Sequence, residues 1–281
     1  MSLRVLYIAS LPHSGSTLLD LLLGSHSALE GLGEIQALKR YVAPGQDSTP
    51  QRRRQCTCGA SSVWLCPFWS AVDATLRLSG IDGLQALNIA SENEETFRRD
   101  NSALFRAIAE VAEKRVLVDS SKSLTRLRRL MGIPGLTLLP VFLHRAPTGQ
   151  IASMVRKYGD AERQIELTLR GSGELLGFFS DRTDPFVSYA SLSEDPKAVL
   201  TSLLQPLGLE YEKAQLNWTD QPHHNLGGNR MRFFDASEIR RDDSAAASLS
   251  PDTYLTVHEA AAGIEARLSE FLERRKAGGP S

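Results

Sequence analysis

The sequence predicts an α/β fold: one domain over residues 1–281, with a central, mainly parallel sheet and helices on both of its faces. Three observations predict it. Short apolar runs rich in β-formers alternate with segments of helical periodicity, each run ends in a polar loop, and each loop opens into a helix. Parallel strands need crossovers of this kind, and ligands bind at the strand ends where such loops fall.

The first repeat of the pattern is RVLYIAS at Arg4–Ser10, a strand, then the turn LPHSGS, then TLLDLLL from Thr17 to Leu23, a buried helix. This is a P-loop-like strand-loop-helix. The second runs from Arg115 to Leu130, with RVLVD as strand, SSKS as loop and LTRLRRL as helix. In the third, LTLLPVFLHR from Leu136 leads to Pro147, a favoured first-turn residue, and the helix TGQIASMVRK. A short strand follows at Phe186–Tyr189, and Asp195-Pro196 opens the helix KAVLTSLLQPLGL. Tyr254, Val257, Ala261, Ile264, Leu268 and Phe271 keep helical spacing, which predicts a C-terminal helix at about 251–276. Between about 44 and 70 the composition shifts to Gly, Pro, Gln and a basic run, which marks an insertion or lid.

At 281 residues and 42% hydrophobic content, the chain can bury one large core. Its 32 Lys+Arg against 33 Asp+Glu give a net charge of -1, so no global basic field points to nucleic acid, and any anion site must be local. No apolar stretch reaches the ~20 residues of a membrane span. The opening MSLRVLYIAS has no signal-peptide pattern, so the expected location is cytoplasmic. Three cysteines, an odd number, argue against a disulfide framework.

A glycine in a tight strand-to-helix turn lets successive backbone N–H groups converge on one anion, and the helix N-terminus adds partial positive charge. Ser14, Gly15, Ser16 and Thr17 are placed for that task. An ordinary nucleotide P-loop would carry Gly-Lys here, and this chain does not. The segment LPHSGSTLLDLLLGSH resembles instead the 5′-phosphosulfate loop of sulfotransferases that use 3′-phosphoadenosine 5′-phosphosulfate (PAPS). That resemblance implies donor binding by Ser14, Gly15, Ser16, Thr17 and Leu18. It also implies sulfonate contact by His13, which stands where the family usually has Lys or Arg.

The stretch VFLHRAPTGQIASMVRK resembles the family's 3′-phosphate motif, an Arg at a strand end and a Ser eight positions on, here Arg145 and Ser153. A guanidinium can chelate phosphate oxygens, and the 3′-phosphate is what separates PAPS from ATP. HHNLGGNRMRF resembles the late nucleotide-binding loop of bacterial sulfotransferases, which implies Asn229 and Arg232 as donor contacts, with Tyr189 of VSYASL as an adenine neighbour. His223 and His224 read equally well as surface-loop residues and stay outside the site.

Sulfonate transfer needs a base for the acceptor hydroxyl and positive charge on the leaving group. EGLGEIQAL resembles the Gly-Glu segment of tyrosylprotein sulfotransferases, which makes Glu34 the expected base. Lys122 of VDSSKS resembles the lysine that neutralises the leaving phosphate, with Ser120 and Ser121 as further donors. Together these motifs imply transfer from PAPS to a hydroxyl of a small-molecule, carbohydrate or lipid acceptor, release of adenosine 3′,5′-bisphosphate, and no metal requirement. Segments 36–66 and 158–182 are the expected acceptor loops.

Cys56, Cys58 and Cys66 offer three thiolates, but C-x-C is shorter than common zinc-finger spacing and no fourth ligand is evident, so buried thiols are the expectation. With Trp64, Phe68, Trp69 and Arg52 to Arg54 they read as a substrate-side lid. Two other readings stay open: a P-loop kinase or NTPase with Asp119 as the metal acid, and a noncatalytic nucleotide- or zinc-binding interaction module.

Overall fold

The computed structural model describes residues 2–43, 55–235, 237–241 and 244–277. Strands β1 (Leu3–Ser10), β2 (Leu29–Gly31), β3 (Val116–Lys122), β4 (Leu136–His144) and β5 (Phe186–Ser188) form one sheet in the order β2-β3-β1-β4-β5. The strands are parallel, with Glu30 opposite Leu117 and Leu143 opposite Val187. Val5, Tyr7, Ile8 and Ala9 are fully buried, which is why β1 reads as an unbroken apolar run rather than an alternating one.

The chain divides into two compact units. The first comprises residues 1–8, 17–140 and 200–238, and in it the helix Pro67–Leu78 packs on the helix Glu94–Ala112. The second comprises residues 9–16, 141–199 and 239–281. There the helices Pro147–Tyr158 and Ala161–Phe179 pack on the C-terminal helix Pro251–Ala277. Its core centres on Phe142, whose ring lies 5.0 Å from Phe179, 5.3 Å from Phe186 and 5.9 Å from Phe271. Each such side chain contributes about 1.5–3 kcal/mol when fully buried.

Several elements differ from the sequence expectation. Residues 161–179 are not an acceptor loop but a helix, capped by Asp160, whose carboxylate accepts from the Arg163 N–H at 3.1 Å. Its buried face begins Gln164, Thr168, Ser172, so the polar residues conceal the helical stripe. The helix Glu94–Ala112, capped by Asn93, likewise buries Asp100 and Asn101. Strand β3 runs on through Ser120 and Ser121, which the sequence placed in a loop. Within the 44–70 insertion, residues 44–54 and so Arg52 to Arg54 lie outside the described residues. No helix among the described residues is long and apolar enough to cross a membrane.

Candidate active site

In the second unit β1 ends at Ser10 and a helix begins at Ser16, leaving a five-residue turn. Gly15 adopts φ +91°, open to glycine, and His13 adopts φ 64°, a left-handed position that costs a non-glycine residue on the order of 1 kcal/mol. The turn is held from inside. Gln150 Nε2 donates to Pro12 O at 2.8 Å and to Ser14 Oγ at 2.9 Å, and Ser14 Oγ donates to Leu11 O at 2.8 Å. Sequence reasoning missed Gln150. Among the described residues the N–H groups of Gly15 and Ser16 donate to no protein acceptor, the backbone geometry of a nest.

Arg145, 7% exposed, follows β4 and donates from Nη1 to His13 O at 3.1 Å. Its guanidinium lies 4.7 Å from the Tyr189 ring centre. The same ring covers Gly15: a Cβ there would sit 2.5 Å from Tyr189 Cδ2. Ser153 Oγ is 2.9 Å from His13 Nδ1, so the imidazole expected at the sulfonate is hydrogen-bonded to the residue expected at the 3′-phosphate. A cavity of about 220 Å³ opens beside them, lined by Arg145, Gly149, Tyr189, Ala190 and Arg241. Gly15→Ala is expected to meet both the left-handed φ and the Tyr189 ring, lowering stability by about 1–3 kcal/mol in thermal unfolding. A Tyr189→Ala background should recover part of that loss.

In the first unit Glu34 and Lys122 form an ion pair. Lys122 ends β3 with φ 69°, a strained conformation for a lysine. Glu34 follows Gly33, and its N–H donates to Leu226 O at 2.6 Å. The expected late loop lies against these residues: a Cβ on Gly227 would be 2.9 Å from Glu34 Cβ, and Asn229 N donates to Thr17 Oγ1 at 2.9 Å. Leu18 is buried in the helix that Ser16 begins. Arg232, expected at the donor, is 7% exposed and committed to Thr57 Oγ1, Asn225 O and Gln55 O at 3.0, 2.8 and 3.0 Å. Ser121 Oγ accepts from Gln36 N at 3.0 Å and Ser120 bonds Asp20, so both hydroxyls serve the framework. His224 stands with Cys56, Cys58 and Cys66, a neighbour that the sequence did not reveal. His223 is a core residue bonded to Ser25 and Trp218 O, not a surface one.

The family model described as "Sulfotransferase family" matches residues 6–213. The chain belongs to the sulfotransferase family.

Its fold is similar to the sulfotransferase domain from the curacin biosynthetic pathway, at 19% identity and TM-score 0.53, covering 92% of this chain and 96% of that one. It is likewise similar to the sulfotransferase domain of the Synechococcus PCC 7002 olefin synthase, at 21% identity and TM-score 0.50, covering 92% and 94%. No curated protein matches in sequence.

Two buried acids complete the first unit of this sulfotransferase. Asp119, the acid on which a kinase reading depends, is fully buried and held by Arg126 at 3.3 Å and by Ser121 N at 2.8 Å. It is engaged in the core rather than offered to a metal. Asp20, beneath Gly33 and Asn225, is pushed up to about 7 chiefly by burial. The folded state therefore binds a proton that the unfolded chain releases near pH 4, and stability from this group falls as pH rises from about 4 to 7. His144 and His223, both pushed down to about 4 by burial, slope the opposite way up to about pH 6.5. Between pH 5 and 7 the melting point of Asp20→Asn is expected to rise more steeply with pH, or fall less, than that of the parent; equal slopes would contradict the assignment.

Proposed function

We propose that this sulfotransferase moves a sulfonate group from PAPS to a hydroxyl of a small-molecule, carbohydrate or lipid acceptor. The observation that carries the proposal is the convergence of the Gly15 turn, Arg145, Ser153 and Tyr189 in one unit. A nest of free N–H groups, a buried guanidinium and an aromatic face suit the 5′-phosphosulfate, the 3′-phosphate and the adenosine respectively.

The donor supplies an activated sulfonate on a phosphate leaving group. The N–H groups of Ser14 to Thr17 hold its 5′ end, with Leu18 continuing the helix behind them. Arg145 and Ser153 take the 3′-phosphate. His13, bonded to Ser153, belongs with this anion-holding group and turns to the sulfonate when Ser153 engages phosphate. Asn229 closes the late loop over Thr17, and Arg232 acts by holding that loop in place. Glu34 takes the acceptor's proton, while Lys122 neutralises the leaving oxygen. Their ion pair holds the carboxylate and the ammonium side by side before substrates arrive.

The test is turnover of PAPS with a panel of phenol, carbohydrate, lipid and natural-product hydroxyls. The expected result is an acceptor heavier by one sulfonate and one adenosine 3′,5′-bisphosphate released per transfer. Turnover of ATP·Mg²⁺ with none of PAPS would overturn the proposal.

A further inference from the structure

The cysteine cluster lies outside the machinery described above, and it has the make-up of a metal centre. Cys56 Sγ is 3.9 Å from His224 Nδ1, Cys66 Sγ is 3.2 Å from the same nitrogen, and Cys58 Sγ is 3.6 Å from Cys66 Sγ. All four ligand atoms lie within 4.8 Å of one another. Tetrahedral zinc with Zn–S of about 2.3 Å and Zn–N of about 2.05 Å spaces its ligands about 3.8 Å apart for S···S and about 3.6 Å for S···N. The two S···N separations bracket their value, the S···S separation of 3.6 Å lies just below its own, and that distance is far from the S–S bond of about 2.05 Å in a disulfide.

The surroundings fit the same reading. Cys56 N donates to Ala60 O and Gly59 N to Cys56 O, a tight knuckle whose turn uses Gly59 at φ +89°. Such a knuckle brings two thiolates of short spacing to one centre. The His224 ring is fixed by stacking on Phe68 at 4.7 Å, and its backbone O accepts from Trp69 Nε1 at 2.8 Å, so Nδ1 is aimed at the sulfurs.

A second, independent observation is Arg232. It is buried, it bonds the backbone or side chains of Gln55 and Thr57 on either side of Cys56 and of Asn225 beside His224, and among the described residues it is in ion-pair contact with no carboxylate. The Glu34 carboxylate acts on it without pairing, and a buried cation favours further negative charge nearby. Three thiolates and a neutral imidazole on Zn²⁺ carry one net negative charge, which compensates it.

We propose that Cys56, Cys58, Cys66 and His224 form a closed structural Zn²⁺ site. Binding replaces three S–H protons, released to solvent, with three Zn–S bonds, and Nδ1 of neutral His224 supplies the fourth ligand. The site staples the insertion to the late loop, because Leu226, two residues beyond His224, pairs with Gly33 and accepts from the Glu34 N–H. The metal therefore organises the segment carrying the base without entering the chemistry.

The full chain, expressed with zinc in the medium and purified reduced, is expected to hold about one zinc per chain by elemental analysis. The metal-free protein titrated with Co²⁺ should show sulfur-to-cobalt charge transfer and the intense visible bands of a tetrahedral thiolate site. His224→Ala and Cys66→Ser should each bring the zinc content well below stoichiometric, and chelation should lower the midpoint of thermal unfolding of the parent. If a variant does not fold, the Co²⁺ spectrum of the parent decides. Three free thiols with no zinc and no cobalt bands, or a Cys58–Cys66 disulfide in metal-free protein, would overturn the site. Neither measurement uses PAPS, so failure here and failure of the proposed activity are separate results.

Discussion

Arg145→Ala is expected to weaken adenosine 3′,5′-bisphosphate binding by about 10²–10⁴-fold while leaving 5′-AMP within a few-fold of the parent. Two charge-assisted hydrogen bonds from a guanidinium to phosphate, at about 1.5–3 kcal/mol each, set that range. Burial places Arg145 where a 3′-phosphate would be stripped of most water, and the Tyr189 face leaves the guanidinium little freedom to lose. Arg145→Lys should recover only part of the loss, because an ammonium cannot make the paired contact. Arg145 also donates to His13 O, so a general collapse of the turn is the competing explanation. The 5′-AMP arm separates the two: a collapsed turn weakens both ligands, whereas a lost 3′-phosphate contact weakens one.

Glu34→Gln is the second large effect, expected to lower kcat for sulfonate transfer by about 10²–10⁴-fold with little change in KM for PAPS. The amide keeps the size of the side chain and removes its basicity. Because Glu34 and Lys122 are paired, the Glu34→Gln, Lys122→Ala double variant should lose less than the product of the single losses. Glu34 and Lys122 are 32% and 15% exposed, so Glu34→Gln leaves a largely buried ammonium without its carboxylate and is expected to lower the melting point. A kcat loss measured on folded protein, well below that melting point, places Glu34 in the chemistry. An unchanged kcat removes it as the base.

Much of this organisation is legible in the sequence because it is local. A glycine between a strand and a helix, or an Arg eight residues before a Ser, are short-range patterns, and Arg145 and Ser153 both contact His13 of the Gly15 turn. Gln150 and His224 are not legible in the same way. Gln150 meets Ser14 across 136 positions and His224 meets Cys66 across 158, so only the folded chain brings them together. Periodicity fails where buried faces are polar, as with Gln164, Thr168 and Ser172, or where a strand is as short as Leu29–Gly31. Arg232, expected at the donor, bonds Thr57, Asn225 and Gln55, and loop composition does not say whether a cation faces a ligand or its own backbone.

In the proposed complex a doubly phosphorylated adenosine is gripped by the Gly15 turn at one end and by Arg145 at the other. Calorimetric titration of the parent protein with adenosine 3′,5′-bisphosphate, 5′-AMP and ATP·Mg²⁺ tests it most directly. The bisphosphate is expected to bind at least about 100-fold more tightly than 5′-AMP, the value of two lost phosphate contacts at the low end of their range. Equal affinity for the bisphosphate and 5′-AMP, or tighter binding of ATP·Mg²⁺, would contradict it.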